Sequence, residues 1–197
     1  NLYNEILKKN PNHFDTIYNL SKLLAQTKRF SLAKTLLYKA TKLKPDYAKA
    51  HNNLGIILTK LREDQKAITS FKKAIQIQPT YADAHYNLGI VMQELGDHRK
   101  AIVYYEKAIQ LRPDYAKAYN NLGIVMQELG ENKKAIVYYE KAIQIQPYYS
   151  DVHYNLGRIF QELGEHKKAI IFYEKVINLK PDYAKAYNNL GVVYQEM

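Results

Sequence analysis

Residues 82–115 read ADAHYNLGIVMQELGDHRKAIVYYEKAIQLRPDY, and residues 116–149 read AKAYNNLGIVMQELGENKKAIVYYEKAIQIQPYY. The two segments are identical at 25 of 34 positions, and each ends two residues after a proline. The six prolines of the chain all keep this spacing of 34 residues: Pro11, Pro45, Pro79, Pro113, Pro147 and Pro181. The chain is therefore a tandem array of one unit, which predicts a repeat fold whose units stack on their neighbours.

Each unit contains two segments with helical periodicity, as residues 82–115 illustrate. The apolar residues of the first segment share one face of a helix: Leu88, Val91, Met92 and Leu95. Gly96 follows them and predicts a left-handed C-cap. The apolar residues of the second segment also form one stripe: Ala101, Ile102, Tyr105, Ala108 and Ile109. Pro113 ends this helix because proline lacks an amide hydrogen. The predicted fold class is all-α, with one helix-turn-helix per unit.

The composition excludes several classes of protein. Hydrophobic residues make up 47% of the 197 residues and charged residues 24%, which is typical of a globular chain. There is no cysteine, which excludes a disulfide framework, a thiolate metal site and a cysteine nucleophile. This composition fits a reducing compartment, so we expect an intracellular, cytoplasmic location. No run of eighteen apolar residues occurs, so no membrane insertion is predicted.

The spacing of the shared residues resembles that of the tetratricopeptide repeat (TPR) family. The family pattern is an aromatic residue, Leu-Gly, a large residue, Ala, an aromatic residue, Ala and Pro. In residues 48–81 these places hold His51, Leu54, Gly55, Leu58, Ala67, Phe71, Ala74 and Pro79. The resemblance covers the whole chain. It implies a right-handed superhelical solenoid whose first helices line a concave groove and whose second helices form the outer face. The first repeat departs most, with Ser21 for glycine, Leu37 for the aromatic residue and Lys28 at the C-cap.

The repeat boundaries predict a single TPR array over residues 1–197. The predicted complete repeats are residues 14–47, 48–81, 82–115, 116–149 and 150–183. Residues 1–13 fit the second helix of a preceding repeat and residues 184–197 the first helix of a following one. We therefore expect a segment of a longer array. Leu190, Val193 and Tyr194 are expected to lie partly uncovered, which predicts weak self-association through the last helix.

One groove position holds asparagine in every repeat. The resemblance assigns the groove to the second, fifth, sixth, ninth, twelfth and thirteenth positions of each repeat. The sixth is Asn19, Asn53, Asn87, Asn121, Asn155 and Asn189. Asparagine is unfavourable inside a helix, because its side chain competes for backbone hydrogen bonds. Its carboxamide both donates and accepts, as a peptide backbone does. This pattern predicts a ladder that binds an extended peptide or partner helix of another protein. Asn-Leu-Gly also belongs to the general TPR pattern, so a packing role stays open beside it.

The flanking groove positions alternate with a period of 68 residues. The second position is Asp15, Lys49, Asp83, Lys117, Asp151 and Lys185. The fifth position is Tyr18, Asn52, Tyr86, Asn120, Tyr154 and Asn188. The twelfth position holds Gln93, Gln127 and Gln161 in the third, fourth and fifth repeats. We predict that these positions flank the bound peptide. The tyrosines would anchor its side chains, and the opposite charges would pair between neighbouring first helices.

Two other TPR subfamilies offer comparisons. The asparagine-lined groove resembles that of the nucleocytoplasmic O-GlcNAc transferases and the related SPINDLY-type enzymes. A substrate-targeting segment of a larger protein O-glycosyltransferase is therefore an alternative, as is an architectural spacer in a multiprotein assembly. The carboxylate clamp of co-chaperones needs basic residues at the fifth and sixth positions, and this chain has none at either.

No catalytic, metal or cofactor site is predicted. His51, His85 and His153 occupy the aromatic place of the pattern and are expected to pack. Equivalent positions of successive repeats lie about 10 Å apart, too far to share a metal whose ligands bind at about 2 Å. The formal charge is +10, but the lysines of the second helices alternate with glutamates, as on a solvated face. Nucleic-acid binding is therefore not expected, nor is enzymatic activity of this segment.

Overall fold

The structure, a computed structural model, describes residues 2–197, which form twelve α-helices and no strand. In chain order these are α1 (Leu2–Lys9), α2 (Phe14–Gln26), α3 (Phe30–Leu43), α4 (Ala48–Lys60), α5 (Asp64–Ile77), α6 (Ala82–Glu94), α7 (His98–Leu111), α8 (Ala116–Glu128), α9 (Asn132–Ile145), α10 (Ser150–Glu162), α11 (His166–Leu179) and α12 (Ala184–Gln195). The predicted all-α architecture of helix-turn-helix repeats is confirmed. From α2 onward, even-numbered helices are the first helices of repeats and odd-numbered ones the second.

The helices form two compact units, one ending at Leu111 and the other beginning at Arg112. In the first unit, a core cluster joins Phe14 and Ile17 of α2 to Ala40 of α3 and Ala50 of α4. Leu7 of α1 packs against the same cluster. In the second unit, the largest fully buried side chains include Tyr139 of α9 and Tyr173 of α11. Each unit therefore buries the apolar stripes of its own helices.

Small residues allow the two helices of a repeat to approach closely. In the third repeat, Ala101 and Ala108 of α7 are fully buried. Gly89 of α6 faces the ring of Tyr105, where an added Cβ would stand 2.7 Å from the ring carbon Cδ1. The ring therefore lies against the backbone of the first helix. This contact needs glycine, because any side chain at that position would occupy the space of the ring.

The turn between the two helices uses a left-handed residue in every complete repeat. Gly96, Gly130 and Gly164 have φ values of 76°, 74° and 71°, as the C-cap interpretation predicts. Lys28 and Arg62 take the same place in the first two repeats, with φ values of 58° and 60°. The backbone N–H of Arg29 bonds to Leu24 O at 2.8 Å, which is the hydrogen bond that closes the glycine turns. The turn is thus kept in the first two repeats at the cost of backbone strain.

The variants Lys28→Gly and Arg62→Gly are each expected to raise the free energy of unfolding by about 0.5–1 kcal/mol. Glycine removes the strain of the left-handed conformation, which is about 1–2 kcal/mol. Part of this gain is lost because glycine increases the conformational entropy of the unfolded chain. The urea-unfolding midpoint measured by circular dichroism tests this. Lys72→Gly is the control, because Lys72 is exposed in the interior of α5, where glycine should lower stability by about 1 kcal/mol. A lower midpoint for both turn variants would contradict the explanation.

Candidate functional site

The predicted groove residues lie on the first helices, which are α2, α4 and α6 in one unit and α8, α10 and α12 in the other. The asparagine of the sixth position is half-buried from the second repeat onward, and Asn19 is exposed. Each unit thus presents its own row of carboxamides. What these side chains can bind depends on which of their atoms already have partners.

In the first unit, the sixth-position carboxamide bonds to the fifth position of the preceding repeat. The Nδ2–H of Asn53 donates to the hydroxyl oxygen of Tyr18 at 3.0 Å. The Nδ2–H of Asn87 donates to the Oδ1 of Asn52, also at 3.0 Å. One N–H of each carboxamide is therefore used between repeats, and it gives the side chain a defined orientation.

The second unit repeats this arrangement with the same two acceptor types. The Nδ2–H of Asn155 donates to Asn120 Oδ1 at 3.2 Å, and that of Asn189 donates to the Tyr154 hydroxyl at 3.2 Å. A phenolic oxygen and a carboxamide oxygen both accept a hydrogen bond. The alternation of tyrosine and asparagine at the fifth position therefore preserves one function, which is acceptance of the hydrogen bond from the next repeat.

Two of the predicted flanking contacts are buried by this packing. Asn52 is 3% exposed and Asn120 is 6% exposed. Their carboxamides serve the inter-repeat bonds, and the Nδ2–H of Asn120 also donates to Asn121 Oδ1 at 3.2 Å. A ligand on the groove surface has little access to either side chain. Their repeat position predicted that they flank the ligand, but the repeat position alone does not reveal whether a side chain is buried. Asn188, the third member of this set, is exposed.

The twelfth-position glutamines also have structural partners. The Tyr139 hydroxyl donates to Gln127 Oε1 at 3.2 Å, and the Nε2–H of Gln127 donates to both carboxylate oxygens of Glu162 at 3.2 Å. The Tyr173 hydroxyl donates to Gln161 Oε1 at 2.9 Å, and Tyr105 donates to Gln93 Oε1 at 2.8 Å. Each of these glutamines therefore satisfies the polar end of a buried tyrosine.

The buried tyrosines predict a loss of stability at alkaline pH. Burial raises the pKa of Tyr173 from 10.0 to about 12, although a hydrogen bond from Asn189 acts in the opposite sense. The folded chain therefore holds this proton more tightly than the unfolded chain, and its stability falls as the pH rises from about 10 through about 12. The urea midpoint of Tyr173→Phe should fall less steeply over this range than that of the parent. Equal slopes would contradict the assignment, and Tyr187→Phe, at an exposed tyrosine, is the control.

The charges of the second position do not form the expected ion pairs in the second unit. The hydroxyl of Tyr183 donates to Asp151 Oδ1 at 3.2 Å. Among the described residues, neither Lys117 nor Lys185 forms an ion pair with Asp151. Both lysines are exposed, as is Lys49 in the first unit. Because tyrosine satisfies this carboxylate, the two lysines stay accessible to a partner.

The histidines of the aromatic place have packing roles. The Nε2 atoms of His51, His85 and His153 lie 3.0 Å, 3.0 Å and 2.8 Å from the carbonyl oxygens of the prolines six residues earlier. These bonds tie the end of one repeat to the start of the next. Over residues 2–197, no group of three or more His, Asp or Glu side chains could hold a metal ion.

None of the helices in the described part of the chain is both long and apolar enough to cross a membrane.

Sequence reasoning missed that the eighth, twelfth and twenty-fourth positions vary together. Repeats with tyrosine at the twenty-fourth position have glycine at the eighth and glutamine at the twelfth, as in Gly123, Gln127 and Tyr139. The first repeat instead has Ser21, Ala25 and Leu37, and the second has Gly55, Thr59 and Phe71. Among the complete repeats, glutamine occurs at the twelfth position only where a tyrosine hydroxyl needs an acceptor. The signal was visible in the repeats, but its cause is the packing.

The comparisons with known proteins agree with this geometry. A stack of paired helices joined by regular turns and cross-repeat hydrogen bonds defines a helical repeat protein. Family models described as tetratricopeptide repeat match residues 14–47, 46–114, 80–147 and 114–182. The chain belongs to the tetratricopeptide repeat family. No match was found among curated proteins.

Several solved structures share the fold. MamA is 28% identical, with a TM-score of 0.73, over 84% of this chain and 96% of MamA. YrrB, described as a TPR protein with an unusual peptide-binding site, is 22% identical with a TM-score of 0.70, over 95% of this chain and 97% of YrrB. PilF of Pseudomonas aeruginosa is 22% identical with a TM-score of 0.84, over 92% of this chain and 84% of PilF. The likeness to YrrB and PilF concerns the fold alone.

Proposed function

We propose that the chain is a protein-interaction scaffold that binds an extended peptide or partner helix along its first helices. The observation that carries the proposal is the state of the sixth-position carboxamides. Asn53, Asn87 and Asn155 each use one N–H between repeats, whereas the amide of Asn189 donates to the hydroxyls of both Tyr154 and Tyr173. The oxygens of these four carboxamides have no partner within the described residues. A half-buried carboxamide with a defined orientation and an unused oxygen suits a ligand that donates hydrogen bonds.

A peptide backbone matches the repeat distance of these side chains. Neighbouring packed helices lie about 8–10 Å apart, and an extended chain rises about 3.3 Å per residue. One carboxamide can therefore meet every third residue of an extended peptide. The internal bonds refine the predicted ladder, because Asn53, Asn87 and Asn155 each keep the oxygen and one N–H for the ligand. Asn189 keeps its oxygen, and the oxygen of Asn121 already accepts from Asn120. The rungs should accept from peptide N–H groups more readily than they donate.

The flanking residues that stay accessible complete the proposed site. Tyr18 and Tyr154 are half-buried, and their hydroxyls accept the inter-repeat bond. We propose that these tyrosines, together with Lys49 and Lys117, contact the side chains of the ligand. Asn52 and Asn120 do not belong to the site, because the packing buries them. Peptide binding by the fold neighbour YrrB makes the proposal reasonable, although that likeness shows only the fold.

A selection from a random dodecapeptide library displayed on phage tests the proposal. Selected peptides should bind Asn87→Ala and Asn155→Ala about tenfold more weakly than the parent chain. Each variant loses one hydrogen bond to the peptide backbone, and that bond also aligns the peptide. Circular dichroism at the assay temperature establishes that the variants are folded. Lys141→Ala on the second helix α9 is the control and should bind as the parent does. Unchanged binding by both asparagine variants would rule out the ladder and favour an architectural spacer.

The finer resemblance to the O-GlcNAc transferase and SPINDLY-type arrays remains part of this proposal. It rests on the asparagine of every sixth position, and it implies that the bound peptides belong to substrates of a linked enzyme. Peptides rich in serine and threonine among those selected would favour this alternative. If the selected peptides show no such enrichment, the targeting alternative is not supported and the proposal of a general protein-interaction scaffold stands.

Weak self-association through α12 is also a proposal. Val193, one of the residues expected to lie uncovered, is instead fully buried. Its neighbours Val192 and Tyr194 are 42% and 56% exposed, and Tyr187 is 48% exposed. Light scattering over a range of concentrations tests this, and a constant monomer mass would exclude it.

A further inference from the structure

A cavity of about 230 Å³ lies between α2, α3 and α4 of the first unit. Its walls are mostly apolar and include Ala25, Leu37, Ile56 and Ile57, whereas Lys22 and Asn53 contribute polar groups. Leu37 is 1% exposed and Ile57 is 3% exposed, so they form its deep end, and Lys22 is exposed at its rim. The cavity therefore opens beside a carboxamide of the proposed ladder.

The cavity exists because the first repeat departs from the others at three linked positions. In the fourth repeat, the ring of Tyr139 lies over Gly123 and its hydroxyl bonds to Gln127. In the first repeat, the corresponding residues are Leu37, Ser21 and Ala25. Leucine lacks the outer ring atoms and the hydroxyl of tyrosine, and alanine lacks the carboxamide of glutamine. Their combined loss leaves space on the groove side of the first helices.

The equivalent place in the second unit is polar. The cavity between α8 and α10 there is lined by Gln127, Glu128, Asn155, Arg158, Glu162 and Ile124. The Arg158 guanidinium and the Glu162 carboxylate form an ion pair at 3.2 Å within it. A buried apolar group would have to displace these charges and their water, which is costly. Of these two equivalent cavities, the one in the first unit has the more apolar interior, and this difference points to a specific contact.

We propose that the cavity of the first unit binds one leucine- or phenylalanine-sized side chain of a peptide with an acidic residue beside it. The inference rests on the proposed function, since the peptide backbone would lie across Asn53. A cavity of about 150 Å³ is large enough to hold benzene, so 230 Å³ accommodates such a side chain.

The charges at the rim define the neighbouring residue of the ligand. Lys22 Nζ lies 5.9 Å from the centre of the Tyr18 ring and has no carboxylate partner among the described residues. The thirteenth position is Gln26 in the first repeat and Lys60 in the second, where the later repeats have glutamate. No acidic side chain of this position therefore competes for Lys22, and an aspartate or glutamate of the ligand can pair with it.

The decisive variant gives the first repeat the residues of the later ones. Ser21→Gly, Ala25→Gln and Leu37→Tyr together reproduce the residues of the fourth repeat and are designed to fill the cavity. They also remove the hydrogen bond that Ser21 Oγ donates to Tyr18 O at 2.6 Å. The control is Thr59→Gln with Phe71→Tyr, which introduces the same tyrosine–glutamine pair into the second repeat, whose Thr59 and Phe71 do not line the cavity. Circular dichroism establishes that both chains fold.

The probes are the dodecapeptides selected on the parent chain and their variants with the apolar anchor replaced by alanine. We expect the selected peptides to share an apolar residue next to Asp or Glu. The triple variant should bind them about tenfold or more weakly, which is the loss expected when a buried leucine side chain becomes exposed. The alanine peptides should show the same loss on the parent chain and no further loss on the triple variant. The control variant should bind as the parent does.

The variant Lys22→Glu tests the charge at the rim. It should weaken the binding of peptides with an acidic residue beside the apolar anchor and strengthen that of peptides in which this acidic residue is replaced by lysine.

If selected peptides lose affinity on Asn87→Ala but bind the triple variant unchanged, the cavity proposal is wrong and the proposed function stands. If no peptide is selected on the parent chain, both are wrong. If Lys22→Glu changes the affinity for neither kind of peptide, the proposed pairing of Lys22 with an acidic residue of the ligand is wrong.

Discussion

Replacing Gly123 by alanine is expected to lower the free energy of unfolding by about 2 kcal/mol. The added Cβ would stand 2.5 Å from Cε1 and 2.6 Å from Cδ1 of the Tyr139 ring. That ring is fully buried and its hydroxyl is bound to Gln127, so it has no free direction in which to move. The strain should exceed the gain of about 1 kcal/mol that alanine normally brings to a helix interior. Urea-unfolding midpoints measured by circular dichroism test this.

Gly191→Ala is the matched control because it occupies the same repeat position in α12. No atom lies within 4 Å of its added Cβ, so alanine should raise stability there by about 0.5–1 kcal/mol. The double variant Gly123→Ala with Tyr139→Leu imitates the first repeat. There a residue with a side chain, Ser21, takes the place of the glycine, and Leu37 takes the place of the tyrosine. Its leucine should remove the clash, so the cost of the alanine should be smaller in that background. A similar midpoint change for Gly123→Ala and Gly191→Ala would contradict the ring contact as the reason for glycine.

Replacing Asn155 by alanine is expected to lower the free energy of unfolding by about 1–3 kcal/mol. The change removes the donor that Asn120 Oδ1 accepts from at 3.2 Å. Asn120 is 6% exposed, so water has little access to the oxygen that loses its partner. An unsatisfied buried acceptor costs more than the net value of the hydrogen bond, since it loses its hydration as well. The urea midpoint measures the effect.

Asn19→Ala is the control for this prediction. Asn19 has the same place in the first repeat but is exposed, and it has no hydrogen-bond partner within the described residues. Its replacement should change stability by less than about 0.5 kcal/mol. A smaller loss at Asn155 than at Asn19 would show that the inter-repeat bond does not stabilise the stack. Measuring peptide binding by the same two variants separates stability from recognition.

The asparagine of the sixth position thus has two roles that the sequence left open. One N–H holds neighbouring repeats together through Tyr18, Asn52, Asn120 or Tyr154, which is the packing role. At Asn53, Asn87 and Asn155 the oxygen and the second N–H remain for a ligand, which is the role we propose. A variant that fails to bind is informative only when its fold is measured as well.

Much of the fold was predictable from the sequence because a 34-residue period is a local property of the chain. The prolines, the turn glycines and the apolar stripes each act within one repeat, so they determined the helix pairs and the all-α class. Burial could not be predicted in the same way. Asn120 and Tyr154 occupy the same repeat position in neighbouring repeats, yet Asn120 is buried and Tyr154 is half-buried. Exposure depends on which helices pack around a residue, and that is decided by neighbours far away in the sequence. The roles of Gln127 and Ser21 likewise depend on side chains of the second helix. The sequence by itself therefore determined the repeat and its helices, and the tertiary structure decided which polar groups are used internally and where a cavity remains.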